Sequence, residues 1–178
     1  MNQTHYPAQT RSEPVSRHTL AVVVDNEPGV LARIAGLFSG RGYNIESLTV
    51  SETEHEAHIS RITIVTAGTA QIIDQIKNQL ERLVPVHRVV DLTLTNEALE
   101  REMALVKVVG KGEQRVEALR LAAAFGARTL DASLVSFVFE LTGTTEEIER
   151  FIRLMTAVGL VEVSRTGVAA ISRGADSM

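Results

Sequence analysis

The chain has 178 residues, a formal net charge of −4 and 44% hydrophobic residues, which suits one large globular domain or two small ones. Its acidic balance argues against a protein that binds nucleic acid through a broad basic surface. No apolar run approaches the roughly 20 residues that cross a membrane, so we expect no membrane partner. The absence of cysteine excludes disulfides, thiolate metal sites and a cysteine nucleophile, and it suits a cytoplasmic protein.

Both ends of the chain are polar. Residues 1–17 lack the apolar core of a signal peptide, and we expect them to form a disordered lead. Residues 173–178 form a short polar tail of similar character.

A stretch from Asp25 to Val50 organises the first half of the chain. Residues 19–24 are a run of β-formers that predicts a buried strand. Pro28 fits the first position of a helix, and the apolar residues that follow recur at helical spacing. Gly40 and Gly42 are suited to ending that helix, and residues 44–50 predict a second strand.

The two turns of this stretch carry its chemistry. A helix N-terminus presents unpaired N–H groups that suit a carboxylate, and Gly29 leaves the backbone open to a small ligand. Asn26 and Asn44 offer amides that both donate and accept hydrogen bonds. With acidic neighbours and no nearby lysine or arginine, a zwitterion is favoured over a phosphate. The alternative is structural: Asn26 caps the helix and Gly29 is a packing glycine.

The order of predicted elements repeats along the chain. Residues 18–95 have the order β-α-β-β-α-β, which is the ferredoxin-like pattern. Residues 96–102 are charged and predict a linker, and residues 103–172 repeat the order. The sequence therefore predicts an α+β protein of two tandem ferredoxin-like modules, each able to fold alone.

No group of residues predicts catalysis or a metal site. His55 and His58 are one position too close for the helical zinc motif, and they fall on a predicted hairpin. The glycines around Lys111 and Arg41 complete neither a phosphate loop nor a dinucleotide fingerprint. A binding module is therefore favoured over an enzyme.

Several segments resemble a known family. DNEPGVLARIAGLFSGRGYNIESLTV resembles the first half of an ACT domain, an amino-acid-sensing module. Together with SRITIVTAG, VHRVVDL, REMALVKV and VEVSRTGVAAISRG, it resembles the small regulatory subunits of acetolactate synthase from about residue 18 to residue 174. The resemblance implies an ACT dimer that binds valine between protomers. The implied valine contacts are Asn26, Gly29, Val30 and Leu31 of one protomer, with Asn44 and Ile45 of the other.

The resemblance also implies a function and a partner. The chain would be non-catalytic, would activate a separate catalytic subunit and would confer feedback inhibition by valine in branched-chain amino acid biosynthesis. Thiamine diphosphate, Mg²⁺ and FAD would belong to that catalytic subunit and none to this chain. Pro28 departs from relatives that carry a small hydroxyl residue there, which leaves residues 29–31 to supply the N–H donors. The alternatives are a stand-alone amino-acid-binding ACT protein that regulates another enzyme, or an enzyme with an unrecognised site.

Overall fold

The computed structural model describes residues 13–54, 56–94 and 98–175. The first module contains six elements: β1 (Ser16–Asp25), α1 (Val30–Gly40), β2 (Ser47–Glu54), β3 (Ile59–Gly68), α2 (Ala70–Glu81) and β4 (Val86–Asp91). The second contains seven: β5 (Ala98–Val109), α3 (Glu113–Ala124), β6 (Arg128–Ala132), β7 (Ser136–Gly143), α4 (Thr145–Ala157), β8 (Leu160–Arg165) and β9 (Ala169–Ser172).

The first sheet has the strand order β2-β3-β1-β4, and every neighbouring pair is antiparallel. Alternate residues of β1 point to the same side, so Leu20, Val22 and Val24 pack against α1 and α2. Ile34 and Phe38 from α1 are fully buried in the same core. This module therefore has one layer of helices, and the other face of its sheet is left for something else to cover.

The second sheet repeats the topology with the order β6-β7-β5-β8. Val106 of β5, Phe139 of β7 and Phe151 of α4 lie at its centre and are fully buried. Two tandem ferredoxin-like modules were predicted from the order of elements, and the structure confirms them.

A third, smaller core joins the two modules. Strand β9 pairs with the beginning of β5, and the chain leading into it lies on the helix-free face of the first sheet. There Val168 and Ala170 are buried against Ala21, Val65 and Leu92. The end of the second module therefore covers part of the first, and the two modules share apolar surface.

Two predicted boundaries are corrected by the strands. Strand β1 begins at Ser16, inside the predicted lead, because residues 16 and 17 pair with the end of β3. Strand β5 begins at Ala98, inside the predicted linker 96–102, because residues 98–101 pair with β9. The pairing partners lie far away in the chain, Gly68 for Ser16 and Ser172 for Ala98, so local polarity did not reveal either strand end. The division into domains otherwise stays a prediction, and residues 1–12, 95–97 and 176–178 lie outside the described residues.

Candidate ligand-binding site

A tight turn, and not a proline at the first helical position, leads into α1. The helix begins at Val30, and Pro28 and Gly29 occupy the two central positions of a turn. The Val30 amide donates to the Glu27 carbonyl at 3.4 Å, and Gly29 has φ 90° and ψ −6°. Those angles are those of the third residue of a type II turn, where glycine is favoured. The predicted start at Pro28 is wrong because the turn uses proline's fixed φ before the helix begins.

The N-terminus of α1 is left open. No side chain caps it and no acidic residue lies in its first turn, so the expectation that Asn26 caps the helix is also wrong. Among the described helices α2 and α4 are capped by threonines, and α3 has Glu113 in its first turn. Within the described chain the amides of Leu31 and Ala32 have no hydrogen-bond partner. Two N–H groups therefore remain for an external acceptor such as a carboxylate.

Space is available directly beside this turn. A Cβ built on Gly29 would meet no atom within 4 Å. The side chain of Leu31 is 39% exposed, whereas Val30 is buried in the core of the first module. Val30 can therefore contribute only backbone to a ligand, while Leu31 can offer an apolar contact.

The charged residues around the turn are already paired. Asp25 accepts from His87 Nε2 at 2.7 Å, and Glu27 accepts from Arg33 at 2.8 Å. Both pairs are about half exposed, so each carboxylate remains in contact with solvent. The backbone N–H of Asn26 donates to the His58 carbonyl, and the Asn26 side chain is exposed.

The other predicted contacts lie at the opposite end of the module. Strands β1 and β2 are both antiparallel to β3, so they are parallel to each other. Asn26 follows the end of β1, beside Ile59, whereas Asn44 precedes the start of β2, beside Thr66. Seven extended residues separate those two positions on β3, roughly 23 Å. One chain therefore does not bring Asn26 and Asn44 together.

The segment 44–46 is held in place by β3. The Thr66 hydroxyl, itself fully buried, donates to the Asn44 carbonyl at 2.6 Å. The Glu46 amide donates to the Val65 carbonyl at 2.8 Å, while Ile45 packs against the first core. The Asn44 side chain is exposed, so its amide is presented to the outside from a fixed backbone.

One buried polar group was not predicted. His18 Nδ1 lies 2.8 Å from Asp91 Oδ2, and its Nε2 lies 2.9 Å from Ser16 Oγ. Asp91 also accepts from the Thr93 amide at 3.0 Å. The sequence marks His18 as isolated because Asp91 is 73 residues away. The group joins the start of β1 to the end of β4, at the edge of the sheet away from β2, and we assign it a structural role.

A second polar group lies between the modules. Arg165 of β8 binds both carboxylate oxygens of Glu102, which is 3% exposed. These hydrogen bonds raise the pKa of Arg165 above its usual value. Arg61 of β3 donates to the Ala170 carbonyl at 2.8 Å, and partial burial lowers the pKa of Arg61. No spacing in the sequence could indicate these contacts, because Glu102 and Arg165 are 63 residues apart and Arg61 and Ala170 come from different modules.

The described residues contain no group of three or more histidine, cysteine or acidic side chains placed to hold a metal ion. His55 of the predicted hairpin lies outside them, and His58 sits in the turn before β3 with φ 50°. Across the described ranges, no helix has the length and apolar character needed to span a bilayer.

Comparisons with known proteins agree with the fold. A family model described as "Small subunit of acetolactate synthase" matches residues 101–174, and one described as "AHAS small subunit-like ACT domain" matches residues 20–88. The structure superimposes on the crystal structure of the acetolactate synthase small subunit from Thermotoga maritima with a TM-score of 0.80 and 35% identity, covering 90% of this chain and 99% of that one.

Curated relatives match over nearly their whole length. A probable acetolactate synthase small subunit from Archaeoglobus fulgidus is 44% identical over 158 residues, which cover 89% of this chain and 98% of the relative. The acetolactate synthase isozyme 3 small subunit of Escherichia coli is 41% identical over 159 residues, covering 89% and 96%. The resemblance found in the sequence is thereby confirmed, and the chain belongs to the acetolactate synthase small subunit family.

Proposed function

We propose that this chain is the non-catalytic, cytoplasmic regulatory subunit of an acetolactate synthase. It activates a catalytic subunit that carries thiamine diphosphate, Mg²⁺ and FAD, and it makes that subunit sensitive to valine. The observation that carries the proposal is the match to small subunits over almost their full length and across both modules.

The open start of α1 supports valine as the ligand. A carboxylate there would accept from the Leu31 and Ala32 amides, which lack partners in the described chain, and it would be favoured by the helix dipole. The carboxylates of Asp25 and Glu27 flank the turn, half exposed, and would add attraction for the ammonium group beyond their pairs with His87 and Arg33. The exposed Leu31 side chain supplies an apolar surface of the kind that a branched aliphatic side chain needs.

A second copy of the chain would complete this site. Strand β2 lies at the edge of the first sheet and, among the described strands, pairs only with β3, so its outer edge is available for a further strand. If two β2 edges pair antiparallel about a two-fold axis, the start of one strand lies beside the end of the other. Asn44 and Ile45 of one protomer then reach the same end of the joined sheet as Asn26 and Gly29 of its partner. The second copy thereby supplies the contacts that one chain holds roughly 23 Å apart.

The second module is the part of the chain that we expect to contact and activate the catalytic subunit. Its own helices, strands and core are complete without the predicted ligand residues, all of which belong to the first module. Valine must then favour a less active state of the complex, with a coupling free energy on the order of 1–3 kcal/mol. Thermodynamic linkage requires the catalytic subunit to change the affinity for valine by the same factor.

Calorimetric titration of valine into the full chain tests the proposal, with and without saturating catalytic subunit and with acetolactate production measured in parallel. We expect stimulation by the chain, inhibition by valine and a shift in valine affinity when the catalytic subunit is present. Valine binding without stimulation would point instead to regulation of a different enzyme. Stimulation with an unchanged valine affinity would rule out the proposed coupling.

A further inference from the structure

A short segment links the predicted ligand site to the second module. We call residues 166–171 the strap, since they leave β8, cross the helix-free face of the first sheet and continue into β9. We propose that the contact between Ser47 and the strap transmits occupancy of the valine site to the second module. This inference rests on the proposed function, because it concerns how that same site acts on the rest of the chain.

The first step of the link is short. Ser47 is the first residue of β2 and follows Ile45 by two positions, so it moves with the backbone that presents Asn44 and Ile45. Its hydroxyl oxygen accepts from the Val168 amide at 2.9 Å. A displacement of the segment 44–46 on ligand binding would therefore change this hydrogen bond directly.

The strap also lies unusually close to β2 at Gly167. This residue has φ 81°, and a Cβ built on it would lie 2.7 Å from Ser47 Oγ and 3.0 Å from Thr49 Oγ1. Such distances leave no room for a side chain, and the positive φ disfavours one as well. The strap backbone therefore packs directly against β2, and a shift of β2 toward the strap would displace the strap.

The strap is held firmly at its far side. Val168 and Ala170 are buried against Ala21 and Val65 of the first sheet, and Arg61 donates to the Ala170 carbonyl at 2.8 Å. These contacts hold the strap in a defined position on the first module, so a shift of Ser47 would change its hydrogen bond to the strap.

The other end of the strap belongs to the second sheet. The Thr166 amide donates to the Met103 carbonyl at 3.0 Å, and the Met103 amide donates to the Thr166 hydroxyl at 3.1 Å. The neighbouring Arg165 holds Glu102 of β5 through two hydrogen bonds. Movement of the strap is thus passed to β5 and β8, the two adjoining strands of the second sheet.

A parallel connection runs over the surface but is weaker. Arg17 contacts Glu46 at 3.5 Å, Glu100 at 3.3 Å and the Thr145 hydroxyl at 3.4 Å. The Arg17 and Glu46 side chains are each more than one-third exposed, and exposed ion pairs contribute little. Arg17, Glu46 and Thr145 line a cleft of about 580 Å³ between the modules. The buried strap contact, and not the surface ion pairs, is therefore assigned the coupling.

The test uses the full chain labelled for NMR, with L-valine as the probe and calorimetry to measure its affinity. In the wild-type protein, saturating valine should slow hydrogen exchange of the Val168 amide by about threefold or more. In Ser47→Ala that amide should exchange faster and no longer respond, while the dissociation constant for valine stays within about threefold of wild type. Ser51→Ala is the matched control: Ser51 lies four residues along the same face of β2, and in the described structure it makes no hydrogen bond to the strap.

Gly167→Ala disrupts the same contact from the strap side and should likewise abolish the response of Val168 exchange to valine. If both variants keep the wild-type response of Val168, or if wild type binds valine while Val168 is unaffected, the strap is only structural and the inference is overturned. If calorimetry shows that wild type binds no valine, the proposed function fails first and the inference fails with it. Thermal melts of each variant check that loss of response does not arise from unfolding.

Discussion

At the scale of single residues, Gly29 meets two demands that no other residue type meets equally well. Its φ of 90° allows the turn after Pro28, and its missing side chain leaves the open N–H groups of α1 accessible. Asn44 is different, since its backbone is fixed by Thr66 while its exposed side chain has no structural work within the described chain. A substitution at Gly29 should therefore affect both stability and ligand binding, whereas one at Asn44 should affect ligand binding alone.

Gly29→Asp should abolish stabilisation by valine. A carboxylate beside the α1 N-terminus would occupy the place of the ligand carboxylate and repel it. Wild-type protein should gain about 2.7 kcal/mol at a hundredfold excess of valine over its dissociation constant. The melting temperature with and without valine is the measurement.

Backbone strain at Gly29 requires its own control. Any side chain at this φ costs about 1–2 kcal/mol, which lowers stability without bearing on the ligand. Gly29→Asn has the shape of aspartate without its charge, and asparagine tolerates positive φ better than most residues. We expect Gly29→Asn to keep part of the valine shift. An undiminished shift in Gly29→Asp would place the site elsewhere.

Asn44→Ala should weaken valine binding by about 1–2 kcal/mol, the size of a lost hydrogen bond to a charged group. Stability without valine should stay close to wild type, because only the exposed side chain is removed. Calorimetry reads the affinity and a melt reads the stability. A lower melting temperature with unchanged affinity would assign Asn44 a structural role only.

At the scale of elements, the helix starts differ in how their N–H groups are capped. Helix α4 has a complete capping box: the Thr144 hydroxyl accepts from the Glu147 amide at 3.3 Å, and Glu147 accepts from the Thr144 amide at 2.7 Å. Helix α2 is capped by Thr69 through the Ile72 amide. Helix α1 has neither device, which leaves its first turn for a ligand.

Thr144→Ala should destabilise the protein by about 1 kcal/mol through loss of the α4 cap. Thr144→Ser keeps a hydroxyl and should cost much less. Urea melts at neutral pH give both values. Equal destabilisation by the two substitutions would mean that the threonine methyl, and not the cap, matters.

The same cap predicts a dependence on pH. Hydrogen bonds from the backbone and side chain of Thr144 lower the pKa of Glu147 below its ordinary value of 4.5. The unfolded chain therefore binds this proton more readily, so the contribution is present above about pH 4.5 and is lost as pH falls through the lower pKa of the folded state. Glu147→Gln should lose stability at neutral pH and should show a shallower decline in acid. Matching acid profiles for variant and wild type would contradict this.

At the scale of the whole molecule, the two modules are joined by shared apolar surface. Burial of Val168 and Ala170 against the first sheet makes the end of the chain part of the first module's environment. In the described structure β2 is an edge strand of the first sheet, so it is available to pair with another strand.

We expect the protein to be a dimer at micromolar concentration, joined at β2. Val50 is 44% exposed on that edge strand, and pairing would cover both its side chain and the open backbone. Sedimentation should give twice the monomer mass. Val50→Lys should shift the equilibrium toward monomer and weaken valine binding with it, whereas Val161→Lys, at an exposed valine of β8, should do neither. A wild-type monomer at that concentration would contradict the joined-sheet site.

A fragment ending near Asn96 should still bind valine but should be less stable than the full chain. It lacks the strap, so Ala21, Val65 and Leu92 lose their cover, at a cost of about 2 kcal/mol. It should also fail to stimulate the catalytic subunit fully, since it lacks the second module. Melts, valine calorimetry and acetolactate assays compare fragment and full chain. Full stimulation by the fragment would show that the second module has another role.

Local patterns in the sequence were enough to predict the two modules and the presence of a helix after Pro28, although not the residue at which that helix begins. Hydrophobic alternation and helical spacing report which side of an element faces a core, because that preference is set residue by residue. The glycine at position 29 and the threonine caps likewise depend on neighbouring backbone alone. The family resemblance added the expectation of valine and of a catalytic partner.

Only the tertiary structure decided how the modules meet and where the predicted contact residues lie relative to one another. Ser47 and Val168, or Arg61 and Ala170, are more than 100 residues apart, and no local preference pairs them. The roles of Ser16 and Ala98 as strand residues were hidden for the same reason, since their partners lie at the far ends of long chain segments. The distance between Asn26 and Asn44 follows from strand direction in the sheet, which is a property of pairing and not of any residue by itself.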